Sequence, residues 1–223
     1  MDWQALNVSL LLAGLTALIL TPVGVFIARK LAWSRFAGRN FIQALIALPL
    51  ILPPTVLGFY LMISLGELSP LGRFYQGIAG ESLVFSFEGI LLASIIFNIP
   101  FAVQPVQRSF ESIPINVREA AWCSGLSGWQ TFWRIELPLA WPGIVSAGIL
   151  TIAHTLGEFG VVLMVGGNLA GETRTVAIAI YDRVQAFDNT GAATMSAALL
   201  MISLLSITLI YFLTDRAGHH ERR

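Results

Sequence analysis

Five stretches of this chain contain no Asp, Glu, Lys or Arg: Trp3 to Ala28, Asn40 to Gly66, Gly89 to Gln107, Leu137 to Gly157 and Asn189 to Thr214. A helix needs about 20 mostly apolar residues to cross a hydrocarbon core about 30 Å thick, and all five are of that order. The expected fold is therefore all-α: a polytopic membrane protein with five transmembrane helices in one transmembrane domain over 1–223. The spans fall at about 6–28, 41–65, 88–107, 139–165 and 190–213, the fourth running on past Glu158. The bilayer is the first partner. Thirteen basic residues balance thirteen acidic ones, so no global charge excess draws the chain to nucleic acid. The single cysteine, Cys123, forms no internal disulfide and excludes a Cys-rich metal site.

Orientation follows from the basic residues, because short loops rich in Lys and Arg stay in the cytoplasm. With the N-terminus outside, the cytoplasmic segments hold Arg29, Lys30, Arg35, Arg39, Arg108, Arg118, Arg134, Arg216, Arg222 and Arg223, against Arg73, Arg174 and Arg183 outside. Ten against three sets the C-terminus in the cytoplasm. In the first span the positive charge follows the apolar run and no A-x-A site is present, so the span is expected to persist as an anchor and not to be cleaved as a signal peptide.

The spans are irregular. Pro22 and Gly24 interrupt the first; Pro49, Pro53 and Pro54 lie within the second; Asn98, Pro100, Gln104 and Pro105 mark the third. Proline removes a backbone donor and kinks a helix, and bare carbonyls at membrane depth must be buried in protein or line a wet cavity. Two readings follow: a bundle around a pathway, with Pro53, Pro54 and Thr55 at its wall, or the ordinary proline content of membrane helices. The outside segments, Glu67 to Glu88 and Gly166 to Asp188, read as short surface elements; Val176 to Tyr181 is apolar but too short to span.

The cytoplasmic loop 108–136 carries more local signal. Asn116 and Glu119 have capping-box-like spacing, which predicts a helix start after Pro114. Gly125 suits a left-handed C-terminal cap, and Ser127 with Gln130 predicts a second start. The loop should be a helix-turn-helix. Its surface mixes Trp122, Trp129, Phe132 and Trp133 with charged residues, a composition that seeks either a protein partner or the headgroup interface.

The string Glu119-Ala120-Ala121, Gly125, Ile135, Leu137-Pro138 resembles, at every spacing, the EAA loop of bacterial ABC importer permeases. The resemblance implies a type I importer permease-like bundle whose loop is a coupling helix seated in a cleft of a cytoplasmic ATPase. Glu119 would pair with a basic residue of that ATPase, Ala120 and Ala121 would allow close approach, and Gly125 would permit the turn. Ile135, Leu137 and Pro138 would anchor the loop to the next span. Further likeness lies in Leu48 to Gly58, Leu156-Gly157-Glu158-Phe159-Gly160 and Gly171-Glu172-Thr173-Arg174-Thr175, which together look like the molybdate permeases of that family. Sulfate and tungstate permeases share the first two blocks, so these oxyanions stand as alternative substrates. The implied partners are a second copy of the chain, two ABC ATPase subunits and a periplasmic or external molybdate-binding protein, in a bacterial inner membrane.

Absences agree with a non-catalytic subunit. A Walker A loop needs Gly-Lys-Ser/Thr, and the only lysine, Lys30, lies between Arg29 and Leu31. ATP and Mg are therefore expected on the partner ATPase, with no cofactor and no metal on this chain. An intramembrane serine protease is a rival because Gly125-Leu126-Ser127-Gly128 has the Gly-x-Ser-Gly form, but its serine lies in a loop and His154 lies deep in the fourth span. An ion-driven secondary transporter fits poorly without repeats.

Glu158 stands within the fourth span, where a charge is costly unless it faces a cavity or partner. It reads either as a gate or as a structural pair with Arg174. His154, one turn earlier, reads as a neutral hydrogen-bonded core residue. Arg174, flanked by Thr173 and Thr175, reads either as an aid to the incoming anion or as an ordinary loop arginine.

Overall fold

The side chain of Asp2 accepts a hydrogen bond from the Ala5 N–H and starts α1 (Trp3–Trp33), which carries Pro22 without breaking. At 1.5 Å per residue this helix is about 45 Å long, enough to cross and to project beyond the bilayer. The structure, a computed structural model, describes residues 2–220; Arg222 and Arg223, and the side chains of Arg216, His219 and His220, lie outside the described residues. After α1 come α2 (Arg39–Ile51), α3 (Pro54–Leu65), α4 (Pro70–Ala79), α5 (Phe87–Glu111), α6 (Ile115–Cys123) and α7 (Gly128–Thr131). A π-helical turn over Phe132–Glu136 then leads through α8 (Leu137–Leu139) into α9 (Trp141–Gly157), α10 (Gly160–Gly166), α11 (Val176–Gln185) and α12 (Asn189–His220).

Helices α1, α5 and the described part of α12 are each long and apolar enough to cross a membrane alone. Two further spans are reached when each of two bent helix pairs is counted as one. Helices α2 and α3 meet at 110°, and the α7–α8 segment meets α9 at 68°. Contacts show that α2 and α3 together make one net crossing. Arg39 at the start of α2 bonds Glu111 at the end of α5, whereas Leu61 and Leu65 of α3 join Val8, Leu12 and Leu83 in a cluster at the opposite end. Helices α1 and α5 run parallel at the centre, joined by a Thr16–Ser94 hydrogen bond. Helix α9 runs back along α5, and its Gly143 lies so close to Ser109 that a Cβ would sit 2.5 Å from the Ser109 Cβ.

Three expectations need correction. The fourth span is not one helix to 165: α9 ends at Gly157, Glu158 is extended, and α10 begins at Gly160. The third continues past 107 to Glu111, shortening the loop, and holds Pro100 and Pro105 inside an unbroken helix. The Asn116–Glu119 capping box does not form. Pro114 occupies the cap position without a side-chain bond, so Asn116 falls in the first turn. The apolar run Val176 to Tyr181 opens α11 and buries Val176, Ile178 and Ala179.

Association in lipid relies on dispersion between closely fitted surfaces and on interhelical hydrogen bonds, and the core is built accordingly. One buried cluster, with Val25, Leu31, Val103, Val106, Phe110, Phe132 and Ala147, fills the loop end of the bundle. A second, with Leu12, Ile90, Phe97, Val161 and Val162, fills the far end. Helix α12 packs on α9 and α11 but leaves Leu200, Met201, Leu204 and Leu205 exposed.

Candidate functional site

The loop end is held by one carboxylate. The π-turn shifts the register of the chain leading out of α7, and Glu136, its last residue, points inward and is fully buried. Its Oε2 accepts from Arg29 Nε of α1 at 2.6 Å, and its Oε1 from Arg118 Nε of α6 at 2.7 Å. Arg118 also stacks its guanidinium over Trp33, 4.0 Å from the ring centroid, and lies 4.9 Å from Trp122. Arg29 covers Phe132 at 4.9 Å and donates to the Gly128 carbonyl. A buried carboxylate is strongly destabilising when unpaired; here two guanidiniums satisfy it, and the aromatic rings hold the guanidiniums in place. The ion pairs join the first span, the loop helix and the root of the fourth span. Sequence reasoning missed all three charges as a set, because Arg29 and Glu136 are separated by 107 positions and no local motif links them.

Helix α6 ends as expected. Gly125 adopts φ +83°, and the Gly125 and Leu126 N–H groups donate to Trp122 and Ala121 carbonyls, the paired bonds of a Schellman cap. The Ser127–Gln130 capping box is present in both directions. Ala121 is buried; Glu119 and Ala120 are exposed, and Glu119 bonds no described residue. Ile115, Glu119, Trp122 and Cys123 are all exposed at helical spacing, forming an outward stripe. Ile135 and Leu137 are half-buried and Pro138 exposed where the loop joins α9. The EAA residues therefore gather at the protruding end of the bundle.

A second polar layer lies at mid-depth and carries no ion pair. Thr16 of α1 bonds Ser94 of α5, whose hydroxyl lies 3.5 Å from Thr155 of α9. Asn98 donates to the Ser94 carbonyl, and its Oδ1 lies 3.1 Å from His154 Nδ1. The imidazole is packed between Phe97 and Phe101, matching the hydrogen-bonded core histidine expected. Near this layer the two helix breaks touch. Pro54 lies against Gly160, where a Cβ would sit 2.8 Å from the proline ring. Pro53, Pro54 and Thr55 thus adjoin the break at Glu158.

Glu158 and Arg174 do not pair. Glu158 is buried and accepts from the Val161 N–H at 2.9 Å in the first turn of α10. Arg174 donates to Asn168 Oδ1 at 2.7 Å and lies 3.7 Å from Asp182. Thr173 is buried in the same far-end loop, donating to the Gly166 carbonyl and accepting from the Leu169 N–H. The break in the fourth span supplies Glu158 with its own backbone donor, so no distant arginine is required.

Among the described residues, an all-helical bundle with bent helix pairs and a folded loop at one end has the architecture of a multi-pass membrane protein. Residues 21–219 match the family described as "Binding-protein-dependent transport system inner membrane component", and the chain belongs to that family. Among its relatives, the "Molybdenum transport system permease protein ModB" of Azotobacter vinelandii is 43% identical over 94% of this chain and 93% of its own length. A "Probable sulfate transport system permease protein cysT" of Chlorella vulgaris is 32% identical over 87% of this chain and 73% of its own. The fold also matches a solved bacterial ABC transporter importing alginate, with a TM-score of 0.72 at 20% identity, over 99% of this chain and 78% of that one.

Proposed function

We propose that this chain is the membrane-spanning permease of an ATP-driven importer that moves molybdate across the bacterial inner membrane by alternating access. The observation that carries the reading is the 43% identity to a molybdenum transport permease over nearly the full length of both chains. The sulfate relative, at 32%, makes sulfate the competitor to exclude. The N-terminus faces outside and the loop end faces the cytoplasm, in line with the arginines clustered there. Two copies enclose the pathway, two ATPase subunits bind ATP and Mg below it, and an external molybdate-binding protein docks above.

In this assembly the stripe on α6 seats against the ATPase. Glu119 offers a free carboxylate, exposed Ala120 permits close approach, Ala121 packs inward, and Gly125 turns the chain. Ile135, Leu137 and Pro138 join the loop to α9. The anion passes the level where Pro53, Pro54 and Thr55 meet the break at Glu158, and neutral donors there suit weak binding and release. Thr173 and Arg174 shape the outer loop, since their polar atoms are already bonded within it. The test is ATP-dependent uptake of labelled molybdate into vesicles containing the reconstituted complex, with tungstate and sulfate as competitors. Uptake that sulfate suppresses more strongly than unlabelled molybdate would reverse the substrate assignment; absence of ATP-dependent uptake of all three would remove the reading.

A further inference from the structure

We infer that Glu136, held by Arg118 and Arg29, is the strut through which displacement of α6 reaches the membrane helices: a positioning residue for coupling ATP hydrolysis to transport. The inference rests on the permease reading. Three features carry it.

Covalent connections alone would leave α6 loosely attached. It is joined to α5 through Ser112, Ile113 and Pro114, and to α7 through a turn at Ser124 to Ser127. Its surface is mostly exposed, and Arg118 and Ala121 are its buried residues. Among the described residues, Arg118 is therefore the only polar side chain by which α6 grips the bundle, and it grips Glu136 at 2.7 Å, at the threshold of the fourth span. The same carboxylate is bonded at its other oxygen to Arg29 of α1, the helix packed most extensively against α5 and also packed against α9. A push on α6 thus acts on two membrane helices through one buried group.

The backbone is adapted to this arrangement. The π-turn over Phe132–Glu136 is irregular helix, a feature that often marks functional positions, and Glu136 closes it. Without the extra residue of the π-turn, the side chain at 136 would be rotated about 100° around the helix, away from its present inward direction. A carboxylate also suits a strut better than an apolar plug. Apolar contacts slide, whereas a carboxylate with a guanidinium on each oxygen fixes both distance and direction. Aromatic rings beside each arginine, Trp33 and Trp122 at Arg118 and Phe132 at Arg29, limit the other positions the guanidiniums can take.

The experiment uses the complete complex of permease, ATPase and binding protein in vesicles, and reads oxyanion taken up per ATP hydrolysed with whichever oxyanion the unaltered complex transports. Glu136→Gln is expected to retain the co-purifying ATPase and continuing ATP hydrolysis while lowering uptake per ATP at least tenfold. Glu136→Asp should recover a substantial part of that ratio. Arg29→Gln keeps the Arg118–Glu136 bond and severs the link to α1; its ratio should fall severalfold. An unchanged ratio in Glu136→Gln would overturn the inference. If Glu136→Gln does not assemble, Arg29→Gln decides: a reduced ratio supports the strut, an unchanged ratio overturns it, and loss of assembly in both makes the group a folding brace and overturns it too. If the unaltered complex transports no oxyanion with ATP, it is the permease reading that fails, which separates the two outcomes.

Discussion

The loop end and the mid-depth layer are both polar regions inside an apolar bundle, yet they use opposite chemistry. At the loop end a buried carboxylate is locked between two guanidiniums; at mid-depth, Thr16, Ser94, Asn98, Thr155 and His154 are connected by hydrogen bonds without an ion pair. Charge pairs are directional and costly to separate, while neutral hydroxyls and amides exchange partners at small cost. The contrast separates a rigid ion-paired joint from a layer whose members can exchange partners.

Mutations can break or sharpen this division. The largest effect is expected from Glu136→Ala, which leaves two arginines without their shared partner. Removing one member of a buried pair costs about 3–5 kcal/mol, and thermal unfolding of the purified complex in detergent should register it as a marked loss of Tm. Asn98→Ala should cost less, about 0.6 kcal/mol and at most about 1.7, the mean and upper value for hydrogen bonds between membrane helices. If Asn98→Ala lowers Tm as much as Glu136→Ala does, the two layers are not mechanically distinct.

The smallest effect belongs to a half-exposed ion pair at the far end, which tests whether burial or charge alone matters. Asp188 accepts from the Gly191 N–H and from Arg183, and these bonds hold its carboxyl below the ordinary aspartate range. A depressed folded-state value stabilises the protein above the unfolded value and is lost as pH falls through the folded one. The small Tm difference between the unaltered protein and Asp188→Asn should therefore be constant from about pH 7 to pH 5 and close only below the ordinary aspartate range. A difference that instead closes with rising pH would contradict the assignment.

How much of this was legible in the sequence depended on distance along the chain. The Gly125 turn and the Ser127–Gln130 box arise from signals within one or two helical turns, and each is present; of the five expected crossings, three are single helices of membrane length among the described residues, and five are reached when each bent pair is counted as one span. The Asn116–Glu119 box failed because Pro114 starts the helix first: proline's fixed φ suits a helix entry, and the competing side chain then has no free N–H at the right position. The Glu158–Arg174 pairing failed for a related reason. A break in the fourth span gave Glu158 a backbone donor three residues on, while Asn168 and Asp182 lay within reach of Arg174. The EAA string was legible by its spacing, but the Arg29–Glu136–Arg118 set was not, because its three charges meet only after α1, α6 and the π-turn have packed.

Cys123 is exposed on α6, beside Glu119 on the outward stripe, and is the only thiol in the chain. The protein consequently supplies its own attachment point for a spectroscopic label at the place where its motor is proposed to engage. A fluorophore or spin probe there needs no cysteine removed from this chain, and in the proposed two-copy assembly a pair of them, one on each copy, would turn the stroke of the machine into a distance that can be followed in real time.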